Sequence, residues 1–448
     1  MAKTFKGGIH VPSSKNTKDS PIVDFPPPKI VSIPLSQHIG APAAPLVSKG
    51  DAVSVGQIIG YTPSGLSCPV HASVSGVVKD VEMRPSYTGY GKTAHVIIEN
   101  DFQNTLHESV KPRYKSLDEA DSDGICEIVK QAGIAGMGGA AFPTYAKIQS
   151  AIGKATDLIV NCAECEPYIT ANHRLMLEEP ERIIGGTKIL LKALGLNHAI
   201  FAVEDNKKDA AAVLKEKTAD DPGLEVEILK TKYPQGDERQ LIYALKKVEL
   251  PAGKLPADVG CVIFNAETCA AVYTAFTTGM PLVSRVVTID GDAVCEPKNI
   301  RVPIGTSYED VFAFCGGLKE SAARIISGGP MMGNAQWDYN AVIMKNTSAL
   351  LVLSDENISV KPENASCIHC GKCVSVCPMH LMPNYLAAFS KADNDEMCEK
   401  FSLLSCVECG CCTYTCPARV PIVQLIRNKK AKILAARKKA AAAAADKM

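Results

Sequence analysis

Gly136-Met137-Gly138-Gly139-Ala140-Ala141-Phe142-Pro143-Thr144 is the densest glycine run in the chain, and its flanks decide the fold. The spacing Gly136-x-Gly138-x-x-Ala141 imitates the glycine turn that joins a strand to a nucleotide-binding helix. That turn needs a strand in front of it. Here a helix comes first: residues 118–134 place Ile125, Ile128, Val129 and Ala132 at helical spacing. The ordinary form of the motif is therefore set aside. A glycine loop still suits a phosphate, because bare backbone N–H groups can approach an anion closely. A plain surface turn is the other reading.

Downstream, DLIVNCAE (157–164), HAIFAVED (198–205) and GCVIFNAE (260–267) read as buried strands. RIIGGTKILLKALG (182–195), KKDAAAVLKEKTA (207–219) and TCAAVYTAF (268–276) read as helices between and after them. The alternation predicts an α/β domain over 116–275. Asn161 stands at the carboxyl end of a strand, where α/β sheets bind ligands. Asn265 stands between strand and helix, where it can cap the helix and face a ligand.

Toward the N-terminus, residues 30–99 form short alternating runs between glycine turns. APLVSKGDAVSVGQIIG (44–60) echoes PVHASVSGVVKDVE (69–82). The pair resembles the barrel-sandwich hybrid of biotinyl and lipoyl carriers. Its second tip, residues 71–76, lacks the lysine that such carriers modify, so a scaffold without a prosthetic arm is expected. Residues 1–28 end in Pro26-Pro27-Pro28 and read as an extension with a stiff connection. The extension and hybrid together span 1–115.

Toward the C-terminus, 276–345 reads as a hairpin with a Gly291-Asp292 turn, a strand and a short helix, a β-grasp order. Aliphatic strands vanish after about 360. Ten of the 18 cysteines fall between Cys367 and Cys416. Cys367-x2-Cys370-x2-Cys373-x3-Cys377-Pro378 recurs as Cys406-x2-Cys409-x2-Cys412-x3-Cys416-Pro417. Zinc takes four ligands, usually paired Cys-x2-Cys with a longer gap. Two identical four-cysteine runs instead point to iron–sulfur clusters. The repeat resembles the bacterial two-cluster ferredoxin. The resemblance implies crossed ligation, with the fourth cysteine of each run starting a helix and serving the other cluster. Cys367, Cys370, Cys373 and Cys416 then hold one [4Fe-4S], and Cys406, Cys409, Cys412 and Cys377 the second. Cys398 and Cys411, off the pattern, read as buried apolar residues. The ferredoxin-type domain is placed at 360–426.

The glycine loop, Lys147 and Asn161-Cys162-Ala163-Glu164-Cys165-Glu166-Pro167 resemble the flavoprotein subunit of respiratory complex I. Gly236-Asp237-Glu238 and Asn265-Ala266-Glu267-Thr268 follow in that family's order, and the β-grasp segment after them. The resemblance implies a non-covalent FMN lined by Gly136, Gly138, Gly139, Lys147, Asn161, Asn265, Glu267 and Thr268. It puts NAD(H) beside Phe142, Glu164 and Glu238, with Glu166 and Asp237 as further cofactor-binding candidates. Ala141 departs from the family's third glycine, and Asp237 from its glutamate. Cys162-x-x-Cys165 could form a dithiol but opens no redox helix. With the hybrid domain, the ferredoxin pair and the opening FKGGIHVP, the whole chain resembles the C subunits of Rnf electron-transport complexes.

That resemblance implies the NAD(H)-facing member of a ferredoxin:NAD oxidoreductase coupled to ion movement. Its partners would be the other Rnf proteins: the ferredoxin-like B subunit and integral-membrane subunits, with peripheral attachment on the cytoplasmic face. Alternatives are a soluble NADH-dependent donor of cobalamin-reductase or proline-reductase type, and a flavin-free electron carrier. The fold class expected is α/β multidomain: barrel-sandwich hybrid, Rossmann-like FMN/NADH domain, β-grasp (SLBB) domain and helical two-cluster ferredoxin domain.

Composition narrows the field. The 448 residues carry 48 basic and 48 acidic side chains, so bulk positive charge does not drive nucleic-acid binding. No window approaches the ~18 apolar residues of a membrane span, and the start lacks a secretory pattern. The zero is a cancellation: residues 427–448 hold eight basic residues and one acid, leaving −7 elsewhere. This Ala/Lys-rich tail reads equally as a solvated helix or as a dock for anionic lipid or an acidic partner.

Overall fold

A computed structural model describes residues 2–86, 91–357 and 365–445, with side chains to residue 440. The expected ferredoxin-domain start at 360 and the tail residues 446–448 lie outside the described residues.

The N-terminal extension carries β1 (Ile22–Asp24). The hybrid domain follows with β2 (Ile30–Pro34), β3 (Ala44–Pro45), β4 (Ala52–Val53), β5 (Ile58–Tyr61), β6 (Val70–His71), β7 (Gly76–Pro85) and β8 (Lys92–Asn100). They form two sheets, ordered β2-β8-β7-β4 and β3-β5-β6. Alternating apolar residues (Val31, Ile33, Val78, Val96, Ile98) fill the space between them. The tip at 71–76 is buried, and Ser73 Oγ donates to the Ile304 carbonyl at 2.5 Å. A carrier tip projects into solvent; this one packs inward.

The α/β domain runs α1 (Ser122–Gln131), α2 (Thr144–Ala151), β9 (Asp157–Cys162), α3 (Ala171–Glu178), α4 (Pro180–Leu194), β10 (Ala199–Glu204), α5 (Lys208–Lys217), β11 (Leu224–Leu229), α6 (Glu238–Lys246), β12 (Cys261–Asn265) and α7 (Ala266–Thr278). The sheet is fully parallel, in order β11-β10-β9-β12. Three of its strands match the aliphatic runs of the sequence. The fourth, β11, does not, because its LEVEIL alternates charge with aliphatics as a half-exposed edge strand. Helices α4 and α7 cross closely at Gly185-Gly186: a Cβ on Gly186 would meet the Cys269 carbonyl oxygen at 1.8 Å. Glycine there costs helix propensity, and the close crossing sets where α7 begins.

The β-grasp region contains β13 (Ser284–Asp290), β14 (Lys298–Pro303), α8 (Tyr308–Phe314), β15 (Ala322–Ser327), β16 (Asn334–Gln336) and β17 (Ala349–Ser354). Its sheet is β1-β14-β13-β17-β15-β16. Two of these strands lie outside the 276–345 expected from sequence. β17 pairs parallel to β13, and β1 pairs parallel to β14 from far upstream. Neither long-range pairing leaves a local pattern.

The cysteine-rich region holds α9 (Lys372–Ser375), α10 (Pro383–Lys391), α11 (Asp395–Lys400), α12 (Cys411–Tyr414) and α13 (Ile422–Ala445). Cys377 and Cys416 do not start helices, contrary to expectation. Each follows the one-turn helix α9 or α12, and Pro378 or Pro417 then redirects the chain. Among the described residues, no helix is long and apolar enough to cross a membrane.

Candidate functional site

The strand order places β9 and β12 side by side, with β10 and β11 on the far side of β9. Connections diverge at the β9–β12 boundary, a topological switch point whose carboxyl end opens a crevice. Asn161 lies near the end of β9, Asn265 ends β12, and the glycine loop lies against Asn265.

The loop is closed by Gly136 N–H donating to the Phe142 carbonyl (2.9 Å) and tied to α7 by Met137 N–H on Thr268 Oγ1 (3.2 Å). Gly138 lies against Asn265, whose amide nitrogen a Cβ would meet at 2.9 Å. Nothing lies within 4 Å of a Cβ on Gly139. Gly138, Gly139 and Ala140 are exposed, and none of their amides donates to a protein acceptor among the described residues. Ala141 keeps the left-handed backbone that a glycine would take more cheaply (φ +53°). Phe142 is 37% exposed beside the loop. Asn265 caps α7 through Glu267 N–H (2.9 Å), and Asn161 holds the neighbouring turn through the Gly236 carbonyl (2.8 Å). Open amides, an uncrowded Gly139 and two strand-end asparagines fit a flavin phosphate and its polar ring edge.

Other sequence candidates have partners within the protein. Lys147 Nζ pairs with Glu238 at 2.5 Å and donates to the Ile263 carbonyl at 2.8 Å. The two meet at the site as an ion pair rather than as a free phosphate ligand and a free carboxylate. Glu164, left-handed at φ +49°, accepts the Asn172 and His173 amides (2.6 and 3.2 Å) at the start of α3. Glu166 accepts the Met331 and Met332 amides (3.0 and 2.9 Å). Burial raises its carboxyl to about 7. Asp237 caps α6 through the Arg239 and Gln240 amides, and burial raises it to about 6. Glu267 forms a two-pronged ion pair with buried Arg285 (3.0 and 2.7 Å) and accepts the Val286 amide. The family resemblance gives these carboxylates to cofactors; within the protein, Glu164, Glu166, Asp237 and Glu267 also make helix caps and contacts to the β-grasp region. Cys162 and Cys165 are both raised by burial, which disfavours thiolate chemistry at that pair.

Lys15 and Tyr233 join the site without any signal in the sequence. Lys15 Nζ donates to the carbonyls of Glu164, Glu166 and Ile169 (2.9, 2.8 and 2.5 Å), so the N-terminal extension fastens the 164–169 loop. Neither residue belongs to a motif, and the extension has the composition of a linker.

The cysteines form the second part of the site. Cys377, Cys406, Cys409 and Cys412 line one cavity with Pro378, Leu381 and Ile426. Cys377 comes from the first repeat, as crossed ligation requires. Cys373 and Cys416 share an apolar cluster, while Cys367 and Cys370 are exposed. The repeats match in backbone detail: His369 and Glu408 are left-handed (φ +56° and +57°), and their amides lie 3.4 Å from Cys367 and Cys406 sulfur. Among the described residues, no three His, Cys, Asp or Glu side chains converge as they would on a single ion. Sulfurs spread around a cavity fit a cubane. Cys398 and Cys411 are fully buried packing residues, as expected.

One turn joins the two parts. Tyr233 Oη donates to the Cys409 carbonyl at 2.8 Å and approaches Glu166 at 3.4 Å. Three residues later, Gly236 rests on Asn161, and its amide donates to Cys165 sulfur (3.4 Å).

Comparison with known proteins decides the family. Four family models match in order: the RnfC barrel sandwich hybrid domain over residues 3–103, the Nuo51 FMN-binding domain over 129–274, the SLBB domain over 286–335 and the 4Fe-4S dicluster domain over 366–420. The C subunit of the Na(+)-translocating ferredoxin:NAD(+) oxidoreductase complex of Acetobacterium woodii is 46% identical, over 97% of this chain and 98% of that protein. The chain belongs to the RnfC family of these ion-translocating complexes. The RnfC-type relative from the proton-translocating complex of Clostridium ljungdahlii is 45% identical, covering 95% of this chain and 93% of its own. A chain of the NAD+-reducing [NiFe]-hydrogenase is similar at 20% identity and a TM-score of 0.47, over 69% of this chain and 54% of that one. As a member of the RnfC family, the chain combines an FMN-binding domain with a 4Fe-4S dicluster domain. The soluble cobalamin-reductase and proline-reductase alternatives give way to this near-complete match.

Proposed function

We propose that this chain is the NAD(H)-facing member of a ferredoxin:NAD(+) oxidoreductase complex that couples electron transfer to ion translocation. Its partners are the integral-membrane subunits and a ferredoxin-like iron–sulfur protein, and it sits peripherally on the cytoplasmic face. FMN, when bound, supplies exchange between two-electron hydride chemistry and one-electron clusters.

The observation that carries this reading is the Tyr233–Gly236 turn. It touches Asn161 at one end and Cys409 at the other, so the flavin-side residues and the cysteine cavity share one short segment. The protein's own groups then have distinct tasks. The amides of Gly138, Gly139 and Ala140 receive phosphate, Asn161 and Asn265 orient the ring, and Thr268 holds the loop. Phe142 offers a flat apolar surface to the nicotinamide side, and the Lys147–Glu238 pair borders it. Cys377, Cys406, Cys409 and Cys412 hold the cluster nearer the flavin. Cys367, Cys370, Cys373 and Cys416 hold the one nearer the surface. The functional units are the hybrid at 1–115, the flavin domain at 116–275, the β-grasp domain from 276, the two-cluster domain to 426 and the tail beyond.

The test is NADH-dependent viologen reduction by protein loaded with clusters and FMN. Activity that needs both FMN and the eight cysteines is expected. Zero activity with no flavin retained would leave an electron carrier without NAD(H) chemistry.

A further inference from the structure

The hybrid domain lacks a modifiable lysine at its tip, and that tip is turned inward onto the end of α1, where the glycine loop begins. The backbone carbonyls there are met from outside the helix. His71 hydrogen-bonds the Gln131 backbone. The Leu282 amide donates to the Ala132 carbonyl at 2.9 Å. Lys345 Nζ donates to the Gly133 carbonyl at 2.7 Å and to the Pro69 carbonyl, beside the hybrid tip, at 2.7 Å. Cys68 Sγ lies 3.9 Å from the Ile134 carbonyl. Gly133 is left-handed (φ +62°), and a Cβ on it would meet the Pro69 oxygen at 2.3 Å and Lys345 Nζ at 2.8 Å. The chain entering the loop is therefore in direct contact with both the hybrid and the β-grasp regions.

The far end of the loop is held by the hybrid domain as well. The Ile39 amide donates to the Ala141 carbonyl at 3.2 Å. His38 fixes this segment: one ring nitrogen lies 3.1 Å from the Ile39 carbonyl, and the other accepts the Cys68 amide at 3.1 Å. A carbonyl needs an N–H and an amide needs a lone pair, so only the neutral ring serves both. Burial favours that form. Gln37 Oε1 accepts the Lys345 amide at 3.0 Å, which joins the two ends into one network.

Lys345 is 1% exposed and has no carboxylate partner among the described residues. Burial lowers it to about 8, which leaves it charged at neutral pH. Lys147 is paired with Glu238, whereas Lys345 keeps an uncancelled positive charge at the entry to the loop. A loop with three glycines loses much freedom when it orders. An anion site made of backbone amides binds best when those amides are already in place.

We propose that Lys345 is a positioning residue for the flavin phosphate, and that the hybrid domain is an internal brace that sets the loop from Gly136 to Ala141 through Lys345 and His38. The inference rests on the phosphate being received by the amides of Gly138, Gly139 and Ala140, as proposed above.

The test uses full-length, cluster-loaded protein and compares FMN with riboflavin, which lacks the phosphate, by quenching of flavin fluorescence. In K345M the FMN affinity should fall about tenfold while riboflavin affinity stays within about twofold. H38A, at a half-buried position, should show the same split more weakly, so the test does not depend on K345M folding. H38Q, whose amide can both donate and accept, should recover most of the H38A loss. Equal loss of both flavins would make the network a general support of the fold, and unchanged FMN affinity would mean that the loop holds itself; either result overturns the proposal. If the unmodified protein binds the two flavins equally, or binds neither, the placing of the phosphate fails instead. Amide hydrogen exchange of the flavin-free protein then decides the brace. Exchange at residues 136–141 should rise in K345M and H38A while strands β9, β10 and β12 stay protected, and unchanged exchange at the loop overturns the proposal.

Discussion

Glu267 and Asn265 stand two residues apart and have opposite employments. Asn265 faces the glycine loop and caps α7, whereas Glu267 turns away to Arg285 and Val286. N265A should lower FMN affinity at least roughly tenfold while costing about 1 kcal/mol in cap stability. E267Q should cost about 3 kcal/mol, because it strands a buried guanidinium, yet leave FMN affinity within about twofold. Flavin-fluorescence quenching and chemical denaturation separate the two; a large loss of FMN affinity in E267Q would return Glu267 to the flavin site. Glu166 makes a different prediction. Its folded-state carboxyl lies near 7, above the ordinary 4.5, so the native protein holds a proton that the unfolded chain releases. Stability from this group is complete below about pH 4.5 and is lost as pH rises to about 7. E166Q should therefore gain on the unmodified protein between about pH 5.5 and 7.5 in denaturation midpoint. A constant difference across that range would refute the assignment.

The elements divide by how locally they are specified. Both cysteine repeats, the helix before the glycine loop, and strands β9, β10 and β12 are legible because spacing and aliphatic runs are local signals. The fastening of the molecule is not. β1 completes a sheet whose other strands lie beyond residue 283, and Lys15 holds a loop some 150 residues away. A linker-like composition conceals both. The basic tail has two readings in the sequence, and the structure favours an internal role for its first half. Arg427, Lys429, Lys430, Lys432 and Arg437 all pair with acids of the cysteine-rich region, and Lys430 also donates to the Cys406 carbonyl at 2.7 Å. A chain ending before Arg427 should thus lose cluster iron during purification, while its flavin affinity stays within about twofold. Full iron retention in that truncated chain would restore the reading of the tail as a surface-docking segment alone.

On the scale of the whole molecule, four domains are recognisable from their order along the chain, but their junctions are not. The candidate site is legible to the extent that it is built from backbone and short side chains: the glycine loop, the strand-end asparagines and the cysteines. It is obscured where a carboxylate in a motif serves as a cap or a clamp, since a motif fixes a position and not a side chain's partner. The neutral net charge also hides a division, with a basic tail from Arg427 on an acidic remainder. The central claim is that one chain carries a flavin beside two cubanes, the nearer one including Cys377 from the first repeat. Iron, acid-labile sulfide and flavin content per chain, measured on anaerobically purified protein, tests it most directly. About eight irons, about eight sulfides and one FMN are predicted; about four irons with matching sulfide, or no flavin in fully cluster-loaded protein, would contradict the account.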